Sequence, residues 1–425
     1  MSKTKNKYKL VLIFLLYCSI STAQQKRLCA VGQREVPKTL SKYAQFERFL
    51  LRHQTAREID TTTLIRIPVV VHVVHSEASR LVGLPGSGNI SDAQIFSQIK
   101  VLNEDYRNQM LLYGQNKTTN GIDTKIEFYL ATKDPDGFPT SGINRIFSSQ
   151  KSFDVFDDNF TLSSLGYWDS SRYLNIWVTK LKNNYLGLGE FPGGDLEGLE
   201  VEDVDARVDG VIIDHTVFGK QIGTVSDVFY GYGRTLTHEV GHWLGLIHTW
   251  GDQFCGTDFV EDTPPTESPN QTLFCRPTFS NCEGTRTLNM IENFMDYTPD
   301  SCMNTFTSGQ RDRLRLVLNL SERRRSLVDN SLLANQLVST PEMVVLNNPG
   351  SMESLVIQLL VPDYQDFVLS FYNASGQLIQ QEKFIQSPSI FWRPSRFPTS
   401  WREEGVILCK WEIDKQIISK RIIIY

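Results

Sequence analysis

Residues 238–248 read His238-Glu239-Val240-Gly241-His242-Trp243-Leu244-Gly245-Leu246-Ile247-His248. Side chains four apart share one face of a helix, so His238 and His242 aim two imidazoles at the same point. Glu239 sits beside the first of them, in reach of a water at that point rather than of a metal itself. Gly245 can take the positive φ that ends a helix and turns the chain back, which brings His248 round as a third nitrogen. Three protein nitrogens leave one tetrahedral position open, the feature that separates a catalytic zinc site from a closed structural one. The competing explanation is an ordinary core helix, since Leu236, Val240, Leu244 and Leu246 are apolar. Such a helix would bury three imidazoles and a carboxylate without partners, at high cost. Five fixed residues at these spacings arise by chance on the order of once in 10⁴ chains of this length, at about one in twenty per position. Of the seven histidines in the chain, three fall in this run. The sequence therefore predicts one catalytic Zn²⁺ held by His238, His242 and His248, with Glu239 as general base for an attacking zinc-bound water.

The rest of the chain fits an exported enzyme. At 425 residues it suits two or three domains, and a net charge of −5 with a pI near 5.9 offers no basic surface for nucleic acid. Lys3, Lys5, Lys7 and Lys9 precede the apolar run Leu10–Ile20, and Ser21-Thr22-Ala23 supplies small residues before Gln24. This reads as a signal peptide over residues 1–23, too short to span a bilayer, with lipoprotein processing at Cys18 the weaker alternative because Tyr17 precedes it. No other stretch could form a transmembrane segment, so the expected location is secreted or extracellular, with attachment to the cell surface left open. Cys255, Cys275, Cys282 and Cys302 follow the zinc motif closely, lack C-x-x-C spacing, and in an exported chain point to disulfides.

Residues 24–64 are polar and Arg-rich with weak helical periodicity from Tyr43 to Leu51, the character of a prosegment rather than of a core element. The β-branched run Ile65–Val74 predicts a buried central strand. Ser91-Asp92-Ala93-Gln94 predicts a capping box, followed by a helix through Ile95, Ile99, Leu102 and Tyr106. Strands are expected at Ile126–Leu130, Tyr173–Val178 and Val211–Ile213, and a polar helix at Ser308–Leu327. The order describes a mixed α/β catalytic domain over 65–328 with an active-site helix, a linker at 329–340, and a small all-β sandwich at 341–425.

Read together with Asn293-Phe294-Met295-Asp296-Tyr297, the extended zinc motif resembles the metzincins, and Met295 the methionine that forms an apolar floor under their metal. Within them the chain is similar to the pappalysin (cytophagalysin) branch, through Ile67–His75, Asn89–Arg107, Tyr173–Val178, Phe191-Pro192-Gly193-Gly194, Asp209-Gly210-Val211, His248-Thr249-Trp250, Asp262-Thr263-Pro264, Ser301-Cys302-Met303 and Phe306-Thr307-x-Gly309-Gln310. The resemblance covers roughly residues 65–325. It implies an α/β (α+β) metzincin-like domain with a twisted mixed sheet, a secreted zinc endopeptidase acting on protein or peptide substrates, and the pairings Cys255–Cys282 and Cys275–Cys302. It also implies Tyr297 as a catalytic residue that helps stabilise the transition state. A structural Ca²⁺ is implied near the acidic loop of Asp252, Asp258, Glu261 and Asp262. A basic preference after the scissile bond would use Asp296 or Asp300.

Residues 341–425 resemble a type IX secretion sorting domain through Leu346-Asn347-Asn348-Pro349, Phe371–Ile379 and the terminal Lys420–Tyr425 strand, which implies secretion machinery as a partner. The first cue departs from the usual tyrosine-proline-asparagine-proline form, and a fibronectin-like binding module is the alternative. Cys29 lies in the expected prosegment, where its thiolate could close the open zinc position until the segment is cut among residues 52–66. Two further functions compete with the endopeptidase: a catalytically silent zinc-containing adhesin or binding protein, against which the intact Glu239 argues, and an exopeptidase.

Overall fold

In the computed structural model the described residues are 29–31, 36–54, 60–109, 121–138, 140–192, 205–272, 274–334, 340–346, 348–350, 355–361, 365–387, 390–392 and 405–424. The expected signal peptide and residues 55–59 of the expected activation region lie outside them. The helices are α1 (Val36–Gln54), α2 (Asp92–Tyr106), α3 (Asn159–Leu165), α4 (Arg234–Trp243), α5 (Ser308–Leu320) and α6 (Glu322–Ala334). The first sheet contains β1 (Ile65–His75), β2 (Ile126–Leu130), β3 (Ile143–Phe147), β4 (Leu174–Thr179), β5 (Gly187–Gly189) and β6 (Gly210–Asp214).

β1 is the spine of that sheet. Its first half pairs with β2, its second half with β3, and its other edge with β4, all parallel. β6 continues the parallel set beyond β4, and the short β5 closes the edge antiparallel to β6. A central parallel strand is covered on both faces, which is why β1 is apolar at successive positions rather than alternating. Ile67, Val69, Val71 and Val73 join the core with α2 and α4, whereas Val74 packs on the opposite face with Phe153, Trp177 and Ile212. The twisted mixed sheet expected from the resemblance is present, and β3, β5 and α3 are elements the sequence reading missed.

Two local expectations change. Ser91 caps α2 by accepting from the Gln94 N–H, but the Gln94 amide does not turn back to Ser91. It donates to the carbonyls of His215 and Phe218, tying α2 to the loop before α4. The helix expected over Ser308–Leu327 is two helices, because Ser321 is extended (φ −67°, ψ 122°) and breaks the run. α6 then runs on to Ala334, into the stretch read as a linker.

Two short strands, β7 (Phe279–Ser280) and β8 (Thr287–Leu288), form a ribbon in the segment held by the disulfides. The C-terminal strands are β9 (Glu342–Leu346), β10 (Val356–Leu360), β11 (Gln365–Tyr372), β12 (Leu378–Ser387), β13 (Ile390–Trp392), β14 (Gly405–Ile413) and β15 (Gln416–Ile424). They make two antiparallel sheets, β13-β10-β9 and β12-β11-β14-β15. Ile357, Leu359 and Trp392 of the first bury in one cluster with Phe367, Leu369, Phe371 and Trp411 of the second, the sandwich expected from the sequence.

Candidate active site

α4 carries the first half of the zinc motif. It ends in a Schellman turn, in which the Gly245 N–H donates to His242 O and the Leu246 N–H to Gly241 O. Gly245 has φ +86°, as expected, and the chain after it brings His248 back over the helix. The three Nε2 atoms lie 3.1 Å (His238–His242), 3.0 Å (His242–His248) and 3.2 Å (His238–His248) apart. Each ring is held from behind. Nδ1 of His238 donates to Phe294 O (2.7 Å), that of His242 to Leu246 O (2.9 Å) and that of His248 to Asp252 Oδ1 (2.5 Å).

With the protons on Nδ1, three Nε2 lone pairs converge in a fully buried space, which is repulsive unless a cation sits among them. Zinc–nitrogen bonds of about 2.0–2.1 Å in a tetrahedron put the nitrogens about 3.3 Å apart, close to the spacing here, so the donor set fits zinc. Outer partners of this kind fix both tautomer and ring orientation. Among the described residues the only group of three or more His, Cys or acidic side chains gathered tightly enough for a metal is Cys29, His238, His242 and His248.

Glu239 points into the same space. Its Oε2 accepts the Gly189 N–H (2.8 Å) and faces the Cys29 thiol at 3.4 Å. The edge strand must approach α4 closely for this: a Cβ at Gly189 would come within 2.0 Å of Glu239 O. Residues 29–31 lie along that edge, with Cys29 bridged in parallel to Gly187 and the Ala30 N–H donating to Gly187 O (3.0 Å).

Met295 is fully buried beneath α4, where its sulfur would meet a Cβ at Gly241 at 2.5 Å. Tyr297 packs edge-on against His248 (ring centroids 5.0 Å) and its hydroxyl donates to Cys29 O (3.4 Å). Trp250, which no sequence argument assigned a role, stacks flat on His248 at 4.4 Å.

The acidic residues each have defined partners. Asp252 supports His248, and Asp262 accepts from Thr307, Ser308 and the Gly309 N–H at the start of α5. Asp258 is buried against the Thr263 hydroxyl. Asp296 is fully buried and binds Asn270, while Asp300 accepts the Tyr232 and Arg234 N–H groups at the start of α4. The disulfides are Cys255–Cys282 and Cys275–Cys302, with Cα separations of 5.4 and 5.2 Å, and Cys409 is a buried free thiol.

The family model described as pregnancy-associated plasma protein-A matches residues 164–319. Extracellular metalloprotease 1 of Coccidioides posadasii is 31% identical over 256 residues, spanning 60% of this chain and 77% of that one. An extracellular metalloprotease of Uncinocarpus reesii is 28% identical over 295 residues, 69% of this chain and 90% of its own. Among solved structures, a mutant promirolysin from Tannerella forsythia is 36% identical, covers 74% of this chain and all of its own, and superposes with a TM-score of 0.61. Mature mirolysin of the same organism, in complex with a cleaved peptide, is 38% identical over 64% of this chain and 98% of its own, with a TM-score of 0.55. The fungal relatives are named as extracellular, and among the described residues no helix is long and apolar enough to cross a membrane. The mixed α/β fold, the buried histidine triad and these relatives agree, and the chain belongs to the pregnancy-associated plasma protein-A (pappalysin) family as a zinc metalloendopeptidase.

Proposed function

We propose that this peptidase cuts internal peptide bonds with His238, His242 and His248 as the zinc ligands, Glu239 as general base and Tyr297 as a donor to the developing oxyanion. The observation that carries this reading is the convergence of three Nε2 atoms, each locked by its Nδ1 partner, beside the Glu239 carboxylate. Zinc, when bound, supplies a Lewis acid that polarises the scissile carbonyl and makes water a better acid. Glu239 takes the proton of the attacking water and hands it to the leaving amine. The Gly189 N–H holds Oε2, so the carboxylate presents a fixed face to that water. The Tyr297 hydroxyl, which donates to the Cys29 carbonyl, would turn to the oxyanion once that segment has left. Met295 gives the ligand helix its apolar floor.

The test is cleavage of casein by the processed protein, with and without a zinc chelator, beside Glu239→Ala. Chelator-sensitive cleavage that vanishes in a zinc-loaded Glu239→Ala protein supports the assignment. A zinc-loaded, processed wild type that cleaves nothing would shift the reading to a zinc-containing binding protein.

Residues 24–64 form a prosegment in this reading, with 1–23 as the signal peptide, and Cys29 keeps the enzyme latent. Its sulfur belongs to the same buried group as the three imidazoles, which supports a thiolate as the fourth ligand before activation. A Cys29→Ala zymogen as silent as wild type before cleavage would sink the switch.

A structural calcium beside the 252–262 loop has narrower support, since Asp252 and Asp262 are engaged elsewhere. Asp258 and Glu261 are its remaining carboxylates, and the reading requires that calcium raise the thermal midpoint of wild type but not of Asp258→Asn. Residues 341–425 serve export as a sorting domain, and deleting them should leave the peptidase inside the producing cell.

A further inference from the structure

A prosegment held only through a metal ligand falls away when the chain is cut, but this one has a second attachment of its own. Tyr43, Phe46 and Leu50 recur at helical spacing on α1 and are all buried. They form one apolar cluster with Phe191, Ile247, Leu316 and Val317. The Phe46 ring stands 4.9 Å from Phe191, edge-on, and a Cβ at Gly245 would meet it at 3.1 Å. α1 is thus seated on the turn that delivers His248.

Polar contacts fix the register of the helix in this groove. Arg313 donates to Glu47 of α1 (2.6 Å) and to Gly245 O (2.8 Å), bridging the helix to the same turn. The Tyr43 hydroxyl donates to Asp252 Oδ2 (2.9 Å), the acid whose other oxygen holds His248. Beyond residues 55–59 the chain is anchored again, because Arg315 donates to Asp60 O and Thr63 O.

We propose that the surface of Phe191, Ile247, Leu316 and Val317, rimmed by Arg313 and Asp252, is a helix-binding site whose occupant is α1, held independently of Cys29 and of the covalent link across residues 55–59. This rests on the prosegment reading of residues 24–64. A single cut in 55–59 then leaves a non-covalent complex, and activation takes a second event that removes or digests α1.

The experiment uses the full chain with a site-specific protease sequence replacing residues 55–59. After cutting, the fragment ending at Gln54 should co-elute with the body on gel filtration, in wild type and in Cys29→Ser alike. Phe46→Ala should weaken retention on the order of 100-fold or more, as deletion of a buried aromatic does. Should that variant fold poorly, Tyr43→Phe keeps the ring, removes only the hydroxyl on Asp252, and should weaken retention roughly tenfold. Immediate loss of the wild-type fragment overturns the proposal, and so does loss from Cys29→Ser together with retention by Phe46→Ala. The N-terminus of the naturally exported protein tests the prosegment reading separately: a start at residue 24 would overturn that reading while the co-elution result still judges the groove.

Discussion

Removing the Asp252 carboxylate should weaken zinc binding without touching a ligand. His238 and His242 are braced by backbone carbonyls, Phe294 O and Leu246 O, which no substitution removes. His248 is braced by a side chain, Asp252 Oδ1 at 2.5 Å, and so its orientation alone can be released by mutation. Burial pushes the Asp252 carboxyl up, but His248, His242 and the Tyr43 hydroxyl together outweigh this and hold it below the usual carboxylate range, so it is ionised at neutral pH. Loss of an outer partner of this type costs about 10–100-fold in metal affinity, or roughly 1.4–2.7 kcal/mol. Asp252→Ala removes both charge and acceptor and belongs at the upper end. Asp252→Asn keeps a neutral acceptor, and since a charge-assisted bond is worth about twice a neutral one, it belongs near the lower end. The assay is competition against a chromophoric zinc chelator, in a Glu239→Ala background that cannot digest itself, with circular dichroism to confirm the fold. If Asp252→Ala binds zinc within about twofold of its parent, the claim that Asp252 orients His248 for the metal is wrong.

Three other substitutions probe separate parts of the site. Gly189→Ala puts a methyl against Glu239 O, where 2.0 Å is available, so the edge strand must retreat and release its N–H from Oε2; kcat on casein should fall about 100-fold with zinc content unchanged, and unaltered kcat would show that this brace is dispensable. Tyr297→Phe should lower kcat about 10²-fold with little change in KM, as loss of an oxyanion donor does, whereas a change confined to KM would make Tyr297 a substrate-packing residue. Burial raises the Asp258 carboxyl to about 7 against hydrogen bonds from Thr263 and Val260. The folded state therefore holds its proton more tightly than the unfolded one, a contribution fully present below about pH 4 and lost as pH rises through about 7. In calcium-free buffer Asp258→Asn should thus gain roughly 3 kcal/mol relative to wild type between pH 5 and pH 8, seen as a difference in thermal midpoints, and a pH-independent difference would contradict it.

What could be read from the sequence was what chemistry confines to neighbouring residues. The histidine spacing, the turn at Gly245 and the Ser91 half of the α2 cap each depend on a few consecutive positions, and they stand as expected. β5 escaped notice because Gly187-Leu188-Gly189 has neither apolar alternation nor β-branching, yet this strand supplies the amide that holds Glu239. Its glycines are set by the closeness of α4, a long-range condition that no local pattern reports. The partners of the acids were not legible for a related reason. Asp252 lies on a turn with φ +58°, which folds its carboxylate back on His248, and carboxylate spacing along a loop does not encode that direction. Asp300 accepts the amides at the start of α4, a contact that arises only once helix and loop meet. The weak periodicity of Tyr43–Leu51 hid the strongest of these long-range effects. A stripe of Tyr43, Phe46 and Leu50 is too narrow to announce a core helix, but it is wide enough to cover the turn behind His248. The N-terminal residues thus reach the histidine cluster from two sides, through Cys29 at the front and through Tyr43 and Asp252 behind, and a substitution at either contact separates the two.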